Sequence, residues 1–124
     1  MKTALDVMTK TIVEIDPDAT VAEAIAMMKA ANVSSLLIRR KTPGRMWGFM
    51  TQTDVIEKVV AHDLDPASVA VRDIMTMRII SVPPTASLKD CAALMARADI
   101  RRVLVFDGNE VLGIVSSSDI FNAL

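Results

Sequence analysis

Two aspartates close the same short pattern. Gly48-Phe49-Met50-Thr51-Gln52-Thr53-Asp54-Val55 and Gly113-Ile114-Val115-Ser116-Ser117-Ser118-Asp119-Ile120 each set a glycine, a hydroxyl three residues on, and a carboxylate three residues further. Glycine within a strand marks a bulge or a close backbone approach. A carboxylate accepts more than one hydrogen bond and so suits the diol of a ribose. A hydroxyl beside the free amides of a helix start suits a phosphate. The chemistry on offer is recognition: a sugar diol at Asp54 or Asp119, and an anion at Thr51 or Ser116. The plainer alternative is that each aspartate opens a helix and merely caps it. Arg101-Arg102 stands where the other half of the chain has Ser34-Ser35. Guanidinium groups match phosphate geometry, although two surface arginines are as readily solvated charges.

Catalysis has little to work with. The chain has one histidine, His62, and one cysteine, Cys91. A single histidine near a helix C-terminus is explained by the helix dipole, and without a second His or Cys at ligand spacing a zinc site is unsupported. Cys91 is expected to pack in the core, as is its counterpart Ala24. Neither Gly-x-Gly-x-x-Gly nor a Walker phosphate loop occurs. No enzyme is expected.

Composition narrows the class further. At 124 residues, 52% of them hydrophobic, the chain can bury a real core and is not a disordered polymer. Lys and Arg total 14 against 15 Asp and Glu, which argues against nucleic acid as the main partner. With 3% aromatic residues and no Tyr, a base-stacking platform is equally unsupported. No apolar run reaches the roughly 18 residues of a membrane span, and Met1-Lys2-Thr3-Ala4-Leu5-Asp6 does not read as a secretion signal. A cytoplasmic, stand-alone module is expected. Mean hydropathy of +0.38 is high for a small monomer and points to a further covered surface, a second copy or a partner. Met27, Met28, Met46 and Met95 can add to such an adaptable surface, and Trp47 reads as cover for an edge or a subunit contact. Arg39-Arg40-Lys41 reads as a solvated loop.

The chain also contains its own copy. Asp6-Val7-Met8-Thr9 recurs as Asp73-Ile74-Met75-Thr76, and holding that offset over positions 6–40 gives 10 identities in 35, where chance gives about 2. The Gly-to-Asp patterns align after a two-residue length change in the polar turn near Lys41–Arg45. Each copy predicts strand, helix, strand, strand, helix. The first strands are expected at 12–15 and 79–82, ended by prolines. Thr20 and Ser87 should N-cap helices over 20–31 and 87–98. Those helices would bury Val21, Ile25 and Met28, or Leu88, Ala92 and Met95, at helical spacing. Strands follow at 36–39 and 103–106, then hairpins at Thr42-Pro43-Gly44 and Asp107-Gly108-Asn109. Strands at 46–50 and 111–115 lead to last helices starting at Asp54 and Asp119. Residues 1–62 form repeat one, 63–72 a linker and 73–124 repeat two. The fold class is α/β of the α+β type, with the two sheets packed face to face about a pseudo-twofold axis as one folding unit.

The ordered set, an Asp-Val/Ile-Met-Thr segment, an Asn-Val-Ser-Ser-Leu-Leu-Ile or Asp-Ile-Arg-Arg-Val-Leu-Val stretch, and the Gly-to-Asp pattern, resembles a tandem CBS-domain pair, named after cystathionine β-synthase. The resemblance covers residues 5–124. It implies two clefts between the repeats that bind adenosine ligands: AMP, ADP or ATP foremost, with S-adenosylmethionine or NAD as alternatives. It further implies regulation of an attached or partner enzyme, channel or transporter, and a disc-shaped homodimer. In the family the Asp holds ribose, the Ser/Thr approaches phosphate, and the opposite repeat's first strand lines the base. Carried over, one cleft would use Ser116, Ser118 and Asp119 with Ile12, Val13, Val33 and Ser34. The other would use Thr51, Thr53 and Asp54 with Ile79, Ile80, Ile100 and Arg101, with Arg101 and Arg102 as phosphate contacts. A phosphate-bearing ligand is favoured at Asp119. The alternative is a protein-interaction and dimerisation module whose clefts are empty.

Overall fold

Helix boundaries follow from capping chemistry in both copies. The computed structural model describes residues 1–38, 48–76 and 79–124. Arg39-Arg40-Lys41, the first hairpin turn, Met46 and Trp47 lie outside them. Helix α1 is Ala4–Val7. Helix α2 spans Val21–Ala31, its Thr20 cap accepting the Glu23 N–H at 3.1 Å. Helix α4 spans Leu88–Ala98, with Ser87 accepting from Asp90 N–H at 3.0 Å. Both stop at a residue in the left-handed region, Asn32 (φ 54°) and Asp99 (φ 53°), the non-glycine types that tolerate it best. The buried stripe of α2 is Val21, Ala24 and Met28, and that of α4 includes Cys91 and Met95. Ala92, expected inside, is exposed. The spacing of the inward face is three then four residues, so it runs through Cys91 instead.

Strands β1 (Glu14–Ile15), β2 (Ser35–Ile38) and β3 (Gly48–Thr51) form one three-stranded sheet; β4 (Ser81–Val82), β5 (Arg102–Phe106) and β6 (Val111–Ser116) form a second. In each, the first pair is parallel and the second antiparallel. The first strands are shorter than expected, two residues each, although the Val13 and Ile80 carbonyls still accept from Leu37 N–H and Leu104 N–H at 2.9 Å. The β5–β6 turn is held by Asp107, whose Oδ1 accepts the Asn109 and Glu110 amides, both at 2.8 Å. Those amide bonds, Glu110 first, hold the Asp107 carboxyl below its usual range.

The last helix of each copy, α3 (Gln52–Lys58) and α5 (Ser117–Asn122), begins two residues before the expected Asp54 and Asp119. The caps are Thr51 and Ser116, and each aspartate is the third helical residue, reaching back to the cap amide. The segment after α3 is not a loose tether. It contains three short 3₁₀ turns, Val60–His62, Pro66–Ser68 and Val71–Asp73, and Val69 C=O accepts from Val21 N–H at 2.8 Å.

The chain divides into two compact units, Val13–Met77 and a unit made of Met1–Ile12 with Arg78–Leu124. The dozen N-terminal residues, counted with repeat one by sequence position, thus pack with the second repeat. Thr9 pairs with Ile114 in both directions, at 2.8 and 3.1 Å, and Ala4 N–H donates to Ala86 C=O at 2.8 Å. In the other unit Thr76 pairs with Phe49 (2.7 and 2.9 Å) and Val71 N–H donates to Ala19 C=O at 2.8 Å. Each Asp-h-Met-Thr segment (h apolar) therefore serves the other copy's sheet. Each unit has its own core, around Leu36, Ile38, Met50, Val59 and Val71 in one and around Ala4, Cys91, Val103, Val105 and Val115 in the other.

Candidate functional site

The glycines of the two patterns admit a sulfur and a backbone. A Cβ on Gly113 would stand 2.6 Å from Met8 Sδ and 2.8 Å from the Thr9 carbonyl oxygen. One on Gly48 would stand 3.0 Å from Met75 Sδ and 3.4 Å from the Thr76 carbonyl oxygen. The close approach expected from glycine in a strand is thus made by the protein's own Met-Thr segment. That contact sets the Thr9 side chain beside the carboxylate at the end of the pattern.

Around Asp119, Oδ2 accepts the Ser116 amide at 2.9 Å, Ser116 Oγ accepts the Asp119 amide at 3.1 Å, and Thr9 Oγ1 lies 3.3 Å from both carboxylate oxygens. Asp119 is half-buried, and Ser117 and Ser118 are exposed. Ser117 N–H donates to the Arg101 carbonyl at 2.9 Å, which anchors Arg101 beside the start of α5. Arg101 itself is exposed; Arg102, the first residue of β5, is half-buried. Two amides of the first turn of α5 are therefore engaged, so an anion there would rely on hydroxyl and guanidinium groups more than on main-chain amides.

Around Asp54 the same box closes differently. Oδ2 accepts from Thr51 N–H (2.9 Å) and Thr51 Oγ1 (3.2 Å), while Oδ1 pairs with Lys58 Nζ at 3.0 Å. Lys58 also donates to the Ile74 carbonyl at 2.8 Å. Asp54 is buried, at 8% exposure. Gln52 N–H donates to Ser34 C=O at 3.1 Å, the counterpart of the Arg101 contact. Thr53 and Ser34 are exposed.

Of the remaining expected residues, Ile12, Ile79, Ile80 and Ile100 belong to the unit of Asp119, and Val13 and Val33 to that of Asp54; all are half-buried. Each set expected to line one cleft draws on both units. Within a unit, the structure brings Arg101 to the Asp119 helix and Ser34 to the Asp54 helix. The Val13 and Ile80 carbonyls, on the segments expected to line the base, are already bonded to β2 and β5. Thr9 and Lys58 escaped the sequence reading. Lys58 was legible as an Asp/Lys pair four apart on a helix; Thr9 was marked only as part of the recurring Asp-Val/Ile-Met-Thr segment, which does not say what its hydroxyl meets.

A family model for the CBS domain matches residues 4–61 and again residues 71–124. The chain belongs to the CBS-domain family. It is 31% identical over 120 residues to the CBS domain-containing protein YhcV of Bacillus subtilis, spanning 97% of this chain and 84% of that one. It is 28% identical to Hypoxic response protein 1 of Mycobacterium tuberculosis over 97% of this chain and 83% of the relative. Among solved structures it resembles a hexameric CBS-CP12 protein from bloom-forming cyanobacteria, at a TM-score of 0.91, 35% identity, and coverage of 98% and 70%. CBS-domain pairs of this kind are regulatory or interaction modules, and no enzymatic family is indicated. The structure of Hypoxic Response Protein I carries two coordinated zinc ions. Among the described residues of this CBS pair no three His, Cys, Asp or Glu side chains gather as a metal site, and no helix is long and apolar enough to cross a membrane. Cys91 is fully buried, and burial pushes its thiol pKa up.

Proposed function

We propose that this CBS-domain pair binds an adenine nucleotide of the AMP, ADP or ATP class and reports its level to a partner protein. The observation that supports the reading is the state of Asp119. Its carboxylate is half-buried and fixed by Ser116, and among the described residues no cation pairs with it and Oδ1 is met only by the Thr9 hydroxyl. Hydroxyl donors of a ribose diol can share or replace such a hydroxyl contact in kind, at little cost. The exposed Ser118 hydroxyl and Arg101 guanidinium supply the phosphate contacts. Binding changes what a partner sees only if it favours one arrangement of the protein over another.

Calorimetric titration with AMP, ADP, ATP, NAD and S-adenosylmethionine tests this. Saturable heat with a phosphate-bearing nucleotide, with affinity weakened about 10–100-fold in Asp119→Ala, is the expected result. Silence from all five at millimolar concentration overturns it.

A second reading, association without a ligand, is favoured by the last helices. Ile56 on α3 and Phe121 on α5 occupy equivalent positions and are 58% and 73% exposed. Outward apolar side chains at repeat-related sites suit a homodimer contact. A stable dimer indifferent to all five compounds would select this reading.

A further inference from the structure

The two capping boxes look alike in sequence and differ in what stands on the carboxylate. We infer that Lys58 closes the Asp54 site, so that the protein takes a single nucleotide, at Asp119; this rests on the nucleotide reading above. Three observations carry it. Both oxygens of Asp54 are engaged, Oδ2 by Thr51 and Oδ1 by the Lys58 ammonium at 3.0 Å. The ammonium is itself tethered by its 2.8 Å bond to the Ile74 carbonyl, so it bridges two elements of one unit. The Asp54 side chain retains only 11% of its exposure. A diol would have to displace an ion pair in which both partners are charged, and its uncharged hydroxyls bring no counter-charge in exchange. It would also cost Lys58 one of its two acceptors. At the position equivalent to Lys58 the second copy has Ala123, which has no charge to place on Asp119. Lys58 thus acts as a built-in occupant of one site, and the duplication retains a single working copy of the pattern.

Titrating AMP, ADP and ATP in turn into wild type, Lys58→Met, Asp119→Ala and the double variant tests this. Wild type should bind one equivalent. Asp119→Ala should weaken binding by about 10–100-fold. Lys58→Met should bind two equivalents, and the double variant should regain one. Lys58→Gln, which keeps a donor for Ile74 without the charge, should also bind two equivalents, because removing the ammonium from Asp54 is what opens the site. Two equivalents on wild type would overturn the inference. So would a Lys58→Met stoichiometry that stays at one, or weaker binding in that variant, which would make Lys58 a phosphate ligand. In those outcomes the nucleotide reading stands. Silence of every variant with all three compounds removes the nucleotide reading itself and the inference with it.

Discussion

Thr9 Oγ1 stands 3.3 Å from both carboxylate oxygens of Asp119, across 110 positions of sequence. The contact exists because Thr9 lies on the segment that pairs with Ile114, next to the glycine that lets it approach. In the other unit Thr76 makes the same backbone pairing with Phe49, but there it is Lys58 that meets the carboxylate. One backbone plan therefore supports two chemically different boxes.

The glycine contacts set a stability order. In Gly113→Ala the new methyl meets a backbone oxygen at 2.8 Å as well as Met8, so the strand must shift. A cost of about 1–3 kcal/mol is expected. In Gly48→Ala the tightest neighbour is a flexible methionine sulfur at 3.0 Å, and about 1 kcal/mol or less is expected. Urea unfolding of both variants checks the order; equal costs would contradict it.

Ser116 is a cap before it is anything else. Ser116→Ala removes the acceptor for the Asp119 amide and should lower stability by about 1 kcal/mol with no ligand present. Thermal unfolding of the ligand-free variant reads this directly. No change in midpoint would mean that the box adds nothing to the fold.

Acid should loosen the β5–β6 turn. Asp107 has a folded pKa below its ordinary value of 3.8, so its contribution is complete above that pH and fades as pH falls through the depressed value. Asp107→Asn should therefore flatten the stability profile below pH 3.8 and leave its slope above pH 5 unchanged. Carboxyl-resolved NMR titration checks the pKa, and acid unfolding of the two proteins checks the slope.

Phe121→Ser and Ile56→Ser should shift any self-association toward monomer without lowering the unfolding midpoint of the monomer. Both side chains are more than half exposed and contribute little to either core. Sedimentation velocity over a concentration series measures the shift. A wild-type protein that stays monomeric throughout would refute the contact.

The repeat, the order of elements, the Thr20 and Ser87 caps and the burial of Ala24 and Cys91 were legible because each depends on residues close in sequence. The start of the last helices was not, since an aspartate before an apolar run fits a cap or the third helical position equally well. Only the hydroxyl three residues earlier, read as the cap, separates the two. The inward face of α4 was misread by one residue, at Ala92, because alanine carries little periodic signal. The exchange of N-terminal segments was out of reach, since self-similarity does not say which copy a flanking stretch will pair with.

That exchange has a consequence during synthesis. Ala4 and Thr9 find their backbone partners at Ala86 and Ile114, so during synthesis they wait unmated until the strand that carries Ile114 has left the ribosome. Long-range closure of this kind slows folding and prolongs exposure of strand edges. Removing residues 1–9 would thus injure the unit that holds the second repeat.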